Sequence, residues 1–221
     1  MSLKNIIKRT ITSVPLIFLL FFSYYYSYVL VVSLFLVSII SLIEFHRLIL
    51  KIFKVNFYKL LINLLILIYL ILFSSLVYLG FLEEDFKINM IYLFLVCIFS
   101  DIGGLLFGKI FKGKKLTKIS PNKTISGSIG SFLLSIILVP IFYFYINNQF
   151  LNLFDLFLIS ILVSFFCQLG DLFISFLKRK ARVKDTGNIL PGHGGLLDRI
   201  DGMLLAVPLG IIIWKILLII S

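Results

Sequence analysis

The chain has 221 residues, 61% of them hydrophobic and 14% charged, with a mean hydropathy of +1.13. So apolar a composition excludes a sizeable soluble domain, and uncharged runs such as Leu60–Leu82 are long enough at ~1.5 Å per residue to cross a hydrocarbon core of about 30 Å. The net charge of +11 does not point to nucleic acid, because the basic residues lie between apolar segments with no aromatic-rich soluble module beside them.

Lipid cannot hydrogen-bond the backbone, so the spanning segments must be helices or a closed barrel. Continuous apolar runs, rather than ~10-residue alternating ones, exclude the barrel. The expected fold is an all-α polytopic integral membrane protein with about seven transmembrane helices and a cytoplasmic N-terminus. In chain order the predicted crossings lie near 8–24, 29–46, 60–82, 88–108, 128–147, 156–177 and 203–220. The N-terminus is basic like a signal peptide but lacks a small-x-small cleavage site, so a retained first helix is expected. Between Thr10 and Ile43 no charge occurs, whereas basic clusters flank the stretch on both sides. A single crossing would strand one cluster outside, so a hairpin is expected, turning at Ser23–Tyr28. With that topology 19 of the 21 Lys and Arg residues are cytoplasmic, the exceptions being Lys87 and Lys215. Residues 1–87 form an N-terminal, lipid-facing scaffold. Residues 88–221 form a catalytic membrane domain with cytoplasmic loops 109–127 and 178–202. Cys97 and Cys167 both lie in apolar segments and imply no disulfide framework.

The ten acidic residues are few enough to take singly. Glu83, Glu84 and Asp85 read as loop charges. Asp155 opens a helix, where its charge suits the dipole. Glu44, near the end of the second crossing, reads as the i, i+3 partner of Arg47. Asp101, Asp171, Asp185, Asp198 and Asp201 remain, all within or beside the two cytoplasmic loops. A carboxylate inside a membrane segment costs ~2.5–3.5 kcal/mol on insertion scales, which marks Asp101 and Asp171 as functional candidates.

Three stretches carry the polar chemistry. In Cys167–Asp185 the spacing puts Asp171, Ser175 and Lys178 on one helical stripe that ends in a basic cluster. A snorkelling helix end explains the cations but not Asp171. In Asn188–Gly202, Pro191 and Gly192 stop any helix, and His193, Gly194 and Gly195 allow backbone amides to approach a ligand. A helix beginning near Leu196 would offer its first N–H groups to an anion. Asp198 and Asp201 share a helical face and suit a divalent metal, with Arg199 between them suited to phosphate. An isolated histidine is more often a structural hydrogen-bonder than a catalyst, and for His193 both a structural role and contact with substrate stay open. The third stretch, Asp101–Gly127, is a lysine- and glycine-rich loop without the GxxxxGK[ST] pattern of a P-loop. Most of its lysines read as headgroup-binding, and Lys123 is singled out. Together these parts describe carboxylates for metal, ringed by cations, at one membrane face. They imply substrates with several phosphates, one of them a lipid.

The run Ser175–Asp201 resembles the signature of the phosphatidate cytidylyltransferases (CDP-diacylglycerol synthases): Ser-x-x-Lys-Arg, four residues, Lys-Asp, then Pro-x-His-Gly-Gly and Asp-Arg-x-Asp. Gln168–Leu172 and Ile119–Thr124 resemble the family as well. After Thr124 the usual Trp-Glu-Gly is replaced by Ile125-Ser126-Gly127, and an Ala-Tyr pair common near Asp101 is replaced by Gly104-Leu105. The resemblance implies condensation of CTP with phosphatidate to CDP-diacylglycerol and pyrophosphate, dependent on Mg²⁺ with a second metal ion possible. It also implies a homodimer among membrane lipids, in the inner membrane of a bacterium, with its site facing the cytosol. On this reading Asp171, Asp198 and Asp201 hold metal, with Asp101 a further candidate. Lys178, Arg179, Lys184 and Arg199 hold phosphates, and Lys123 closes from the other loop. Ser175 donates a hydrogen bond, and His193, Gly194 and Gly195 contact substrate. Asp185 either binds cytosine or orients Lys184. The alternatives are another CTP-using membrane enzyme, such as a polyprenol kinase or a CDP-archaeol synthase, and, from a different class, a transporter. Transport is disfavoured by the clustering of polar groups at one surface and the lack of repeats.

Overall fold

The computed structural model describes residues 21–117, 119–120, 123–146, 151–189 and 194–220. Most of the first predicted crossing, the Asn147–Asn148 turn, Pro191, Gly192 and His193 lie outside the described residues. Six helices follow in order: α1 (Ser27–Ile52), α2 (Asn56–Leu82), α3 (Glu84–Phe111), α4 (Ile125–Ile146), α5 (Leu153–Lys180) and α6 (Leu197–Ile220). All six contain segments long and apolar enough to cross a membrane, as the composition predicts, and no strand occurs among the described residues.

Most of the helices run beyond the predicted crossings, chiefly at their charged ends. α5 continues through Lys178, Arg179 and Lys180. Long cationic side chains are good helix formers, and they favour the negative C-terminal end of the dipole. α5 stops only at a Schellman turn. The Val183 amide bonds Lys178 O, the Arg182 amide bonds Arg179 O, and Arg182 takes a φ of 54° where glycine is usual. At its other end, Asp155 Oδ2 accepts the Asn152 amide at 3.1 Å, the return bond of a capping box. Ahead of α1, residues 21–25 are helical and Tyr26 is extended. Ser23 and Ser33 hydroxyls lie 3.4 Å apart. Ten residues of continuous helix would separate them by about 15 Å, so the chain folds back at the predicted place.

The fold divides into two compact units, Met1–Glu83 with Leu177–Ile200, and Glu84–Phe176 with Asp201–Ser221. Residues 177–189 and 194–200 thus pack with the N-terminal helices. In the second unit the core centres on Trp214, fully buried, whose ring lies 5.8 Å from those of Tyr92 and Phe86 and 6.1 Å from Phe142. Hydroxyl pairs join α3 to α5, Ser100 with Ser164 at 2.9 Å and Tyr92 with Ser160 at 2.5 Å.

Without a hydrophobic drive inside lipid, helices associate through close packing of small residues. α3 and α4 do so through Gly103, Gly104 and Gly108 against Gly127, Gly130 and Ser131. A Cβ on Gly130 would enter the Phe107 side chain and lie 2.8 Å from Gly103 O. Gly130→Ala is therefore expected to cost about 1–3 kcal/mol by overpacking. The check is a lowered Tm in detergent, and an unchanged Tm would contradict backbone contact at this crossing.

Candidate functional site

Among the described residues each unit holds a polar cluster built around carboxylates. In the first, the link between α5 and α6 turns back on itself around two carboxylates. Glu44, on α1, is wholly buried. Its Oε2 accepts the Thr186 hydroxyl at 2.7 Å and the Leu197 amide at 2.9 Å, while Oε1 accepts the Leu196 amide at 3.0 Å. The carboxylate therefore sits at the N-terminus of α6, where orphan N–H groups and the helix dipole favour negative charge. Asp198 is the second anchor. Its Oδ2 accepts the Thr186 and Gly195 amides at 2.9 and 3.1 Å, and its Oδ1 takes the Lys178 ammonium at 2.7 Å. Thr186 Oγ1 also lies 3.1 Å from Asp198 Oδ2, so one hydroxyl proton is shared between the two acids.

The glycines make room for this arrangement. Gly194 has a φ of +84°, and its missing Cβ would lie 3.1 Å from Asp198 Oδ2 and 3.5 Å from Asp185 Cβ. A Cβ on Gly195 would collide with Thr186 Oγ1 and Glu44 Oε2.

Four sequence expectations change here. Glu44 bonds a segment more than 140 residues away rather than serving as the local partner of Arg47. The first amides of α6 and the Gly195 amide are taken by Glu44 and Asp198, so they are not open to an external anion in this structure. Asp198, read as a metal ligand, has both oxygens occupied, and Lys178, read as a phosphate ligand, is its ion-pair partner. Their side chains are 7% and 16% exposed. Arg179, Lys184, Asp185 and Arg199 are exposed.

The second cluster lies where α3, α5 and α6 approach. Gly170 and Gly202 permit it: a Cβ on Gly170 would lie 2.6 Å from Asp201 O, and one on Gly202 2.5 Å from Cys167 Sγ. Three carboxyls meet there. Asp201 faces Asp101 and is within hydrogen-bonding reach of Asp171, and Asp101 faces Asp171 and Lys123. Lys123 Nζ forms a close ion pair with Asp171 Oδ2. The lysine is positioned by a short hairpin, in which the Leu116 amide bonds Lys123 O at 2.8 Å and the Ile125 amide bonds Lys114 O at 2.9 Å. Thr124 Oγ1 then caps α4 by accepting the Gly127 amide at 3.1 Å. Ser126 Oγ accepts the Gly113 amide at 3.3 Å and so pins the same hairpin.

Around the acids, Ser175 Oγ donates to Asp171 Oδ1 at 3.4 Å, the Gly202 amide to Asp201 Oδ1 at 2.9 Å, and Cys167 Sγ lies 3.6 Å from Asp101 Oδ1. Gln168, three residues before Asp171, was given no role by sequence reasoning. Its Oε1 accepts the Ser128 hydroxyl, and its buried Nε2 has no partner among the described residues. A glutamine in an apolar helix was the available signal.

Three carboxylates against one ammonium leave an excess of negative charge, and their hard oxygen atoms suit a divalent cation. Among the described residues no three His, Cys, Asp or Glu side chains already stand in an arrangement that would hold one. Lys123 occupies Asp171 in that state. The hard carboxylate oxygens are of the donor type that a divalent cation takes.

Residues 1–217 match the profile of the cytidylyltransferase family. A phosphatidate cytidylyltransferase of Staphylococcus haemolyticus (strain JCSC1435) is 46% identical over 121 residues, which cover 54% of this chain and 46% of that protein. One of Rickettsia typhi (strain ATCC VR-144 / Wilmington) is 42% identical over 141 residues, 61% of each chain. The alignments thus span from about half to three-fifths of the length of these relatives. The family profile extends over nearly the whole chain, well past the signature at 175–201, and this chain belongs to the cytidylyltransferase family.

Proposed function

We propose that this protein transfers the cytidylyl group of CTP to phosphatidate, giving CDP-diacylglycerol and pyrophosphate, at the cytosolic face of a bacterial inner membrane and as a homodimer. The observation that carries the reading is the meeting of Asp101, Asp171 and Asp201, with Lys123 beside the first two, in a membrane-embedded member of the cytidylyltransferase family. The names of the related proteins and the basic loops support the substrates and the orientation.

A phosphatidate oxygen is already anionic at neutral pH and needs little help from a general base. It attacks the α-phosphorus of CTP, a new P–O bond forms, and the bond to the β-phosphate oxygen breaks to release pyrophosphate. The difficulty is bringing two anions together and stabilising the departing charge, a task of positioning and electrostatics. Asp101, Asp171 and Asp201 would hold Mg²⁺, which supplies charge neutralisation at the phosphates. Lys123 moves from Asp171 to a substrate phosphate, and Ser175 keeps Asp171 oriented. In the other cluster Lys178 is paired with Asp198, and Arg179 on α5, Lys184 on the link and Arg199 on α6 are the exposed cations that could meet phosphate. Asp198 and Glu44 hold that link in shape.

The test is incubation of the purified protein with CTP, Mg²⁺ and phosphatidate. The expected products are the liponucleotide and pyrophosphate in equal amounts. Appearance of CDP with a phosphorylated lipid would instead identify a kinase, and no turnover with phosphatidate would reject the substrate.

A further inference from the structure

The first unit carries a feature that neither cluster uses. Between α1 and α2 lie two clefts of about 640 and 670 Å³ that share Leu42 and Leu67 as walls and so form one trough. Each is within the ~300–1,000 Å³ usual for a small-molecule site. Its two ends differ in chemistry. From Val31 to Leu42 the lining is apolar apart from serines and Tyr78, and Ser38 and Ser74 tie the helices together there at 2.7 Å. Beyond Leu42 the lining becomes His46, Arg47, Asn56, Lys59 and Asn63 among leucines. His46 Nδ1 and Asn63 Oδ1 are hydrogen-bonded at 3.2 Å, a second tie between the helices. Among the described residues Lys59 reaches only the neutral Asn56 amide, at 3.3 Å, and no acidic side chain lines either cleft.

We propose that this trough binds one anionic glycerophospholipid, with its phosphate against Arg47 and Lys59 and an acyl chain along the wall from Leu42 towards Val31. The dimensions agree, because the 11 residues between those positions span about 16 Å of helix, half of a ~30 Å hydrocarbon core and thus one leaflet's depth. Charge complementarity selects the headgroup: two cations at the mouth with no carboxylate partner in the lining suit a phosphate without a compensating choline. Basic residues at a helix end could instead serve topology alone. Topology requires neither a trough between the helices nor ties across it. The proposal is independent of the proposed reaction, since it concerns binding and not turnover.

The experiment is native mass spectrometry of the full chain in detergent, with phosphatidylglycerol or phosphatidylcholine of matched acyl chains. Phosphatidylglycerol is expected to give a retained 1:1 adduct at least about tenfold more abundant than phosphatidylcholine. Arg47→Ala with Lys59→Ala should lower that adduct about tenfold, and Arg47→Lys with Lys59→Arg should keep it. Ser74→Phe, which fills the trough without altering charge, should also lose it, with monodispersity on gel filtration showing that each variant remains folded. Equal retention of the two lipids, or an adduct that survives both the charge removal and Ser74→Phe, would mean ordinary boundary lipid and would overturn the proposal. Cross-linking of two copies through Ser38→Cys, with no adduct in the parent protein, would assign the trough to a second copy and overturn it equally.

Discussion

Asp171→Asn and Asp201→Asn are each expected to lower CDP-diacylglycerol formation by about 10²–10³-fold or more, the scale of removing one preorganised electrostatic contact from a transition state. Both substitutions keep the size of the side chain. Each converts an oxygen that can ligate a cation into an amide nitrogen that cannot, so the loss should fall on turnover while the protein remains folded. The same variants separate metal binding from catalysis. A cation that binds only the folded state stabilises it by about 2.7 kcal/mol at a hundredfold excess over its Kd, so the parent protein should gain Tm with Mg²⁺ and both variants should not. Lys123→Gln gives the opposite signature. It removes the ammonium that now pairs with Asp171, so Mg²⁺ should stabilise this variant at least as strongly as the parent, while the KM for CTP rises. Near-normal turnover by Asp201→Asn, or unchanged Mg²⁺ stabilisation in both Asn variants, would remove the three-acid site from the mechanism.

Asp101 and Asp171 were legible in the sequence because an apolar setting makes each carboxylate expensive, and Asp201 because it shares a helical face with Asp198. Function then needs only one further step, the convergence of the helices that carry them. The order of the helices from the second predicted crossing onward was equally accessible, since 20-odd apolar residues leave the backbone no alternative to a helix. The fold-back at Tyr26 followed from where the cations stand. Other features depend on partners distant in sequence. Glu44 has a plausible mate three residues on, and nothing local reveals that its donors are Thr186, Leu196 and Leu197. Asp198 reads as an ion ligand only while the four donors around it are unseen. Gly195 looks like a ligand-facing glycine, but the atoms that exclude its Cβ belong to Glu44 and Thr186. The α3–α4 glycines show small size in the sequence, not which backbone they admit. In each case the pattern identified a special residue, and only the fold identified the group it serves.

Glu44→Ala should be the most damaging single change for the link that carries the signature residues. Two backbone amides and one hydroxyl end on its buried carboxylate. Each donor left buried and unpaired costs about 1–3 kcal/mol, so the two amides alone put roughly 2–6 kcal/mol at stake. Thr186 can still turn to Asp198, which limits the hydroxyl's share. The Leu196 and Leu197 amides have no such second acceptor among the described contacts. Glu44→Gln tests the chemistry more finely. It fills the same volume but offers an NH₂ where a second oxygen had accepted, so one donor must face another. Hydrogen exchange of the full chain in detergent should show lost protection at Leu196 and Leu197 in both variants, larger for Ala. Arg47→Ala, removing the neighbour that local spacing suggests, should leave those amides protected. If protection at Leu196 and Leu197 survives Glu44→Ala, the clasp is not what organises the start of α6, and Lys178 with Asp198 must hold the link alone.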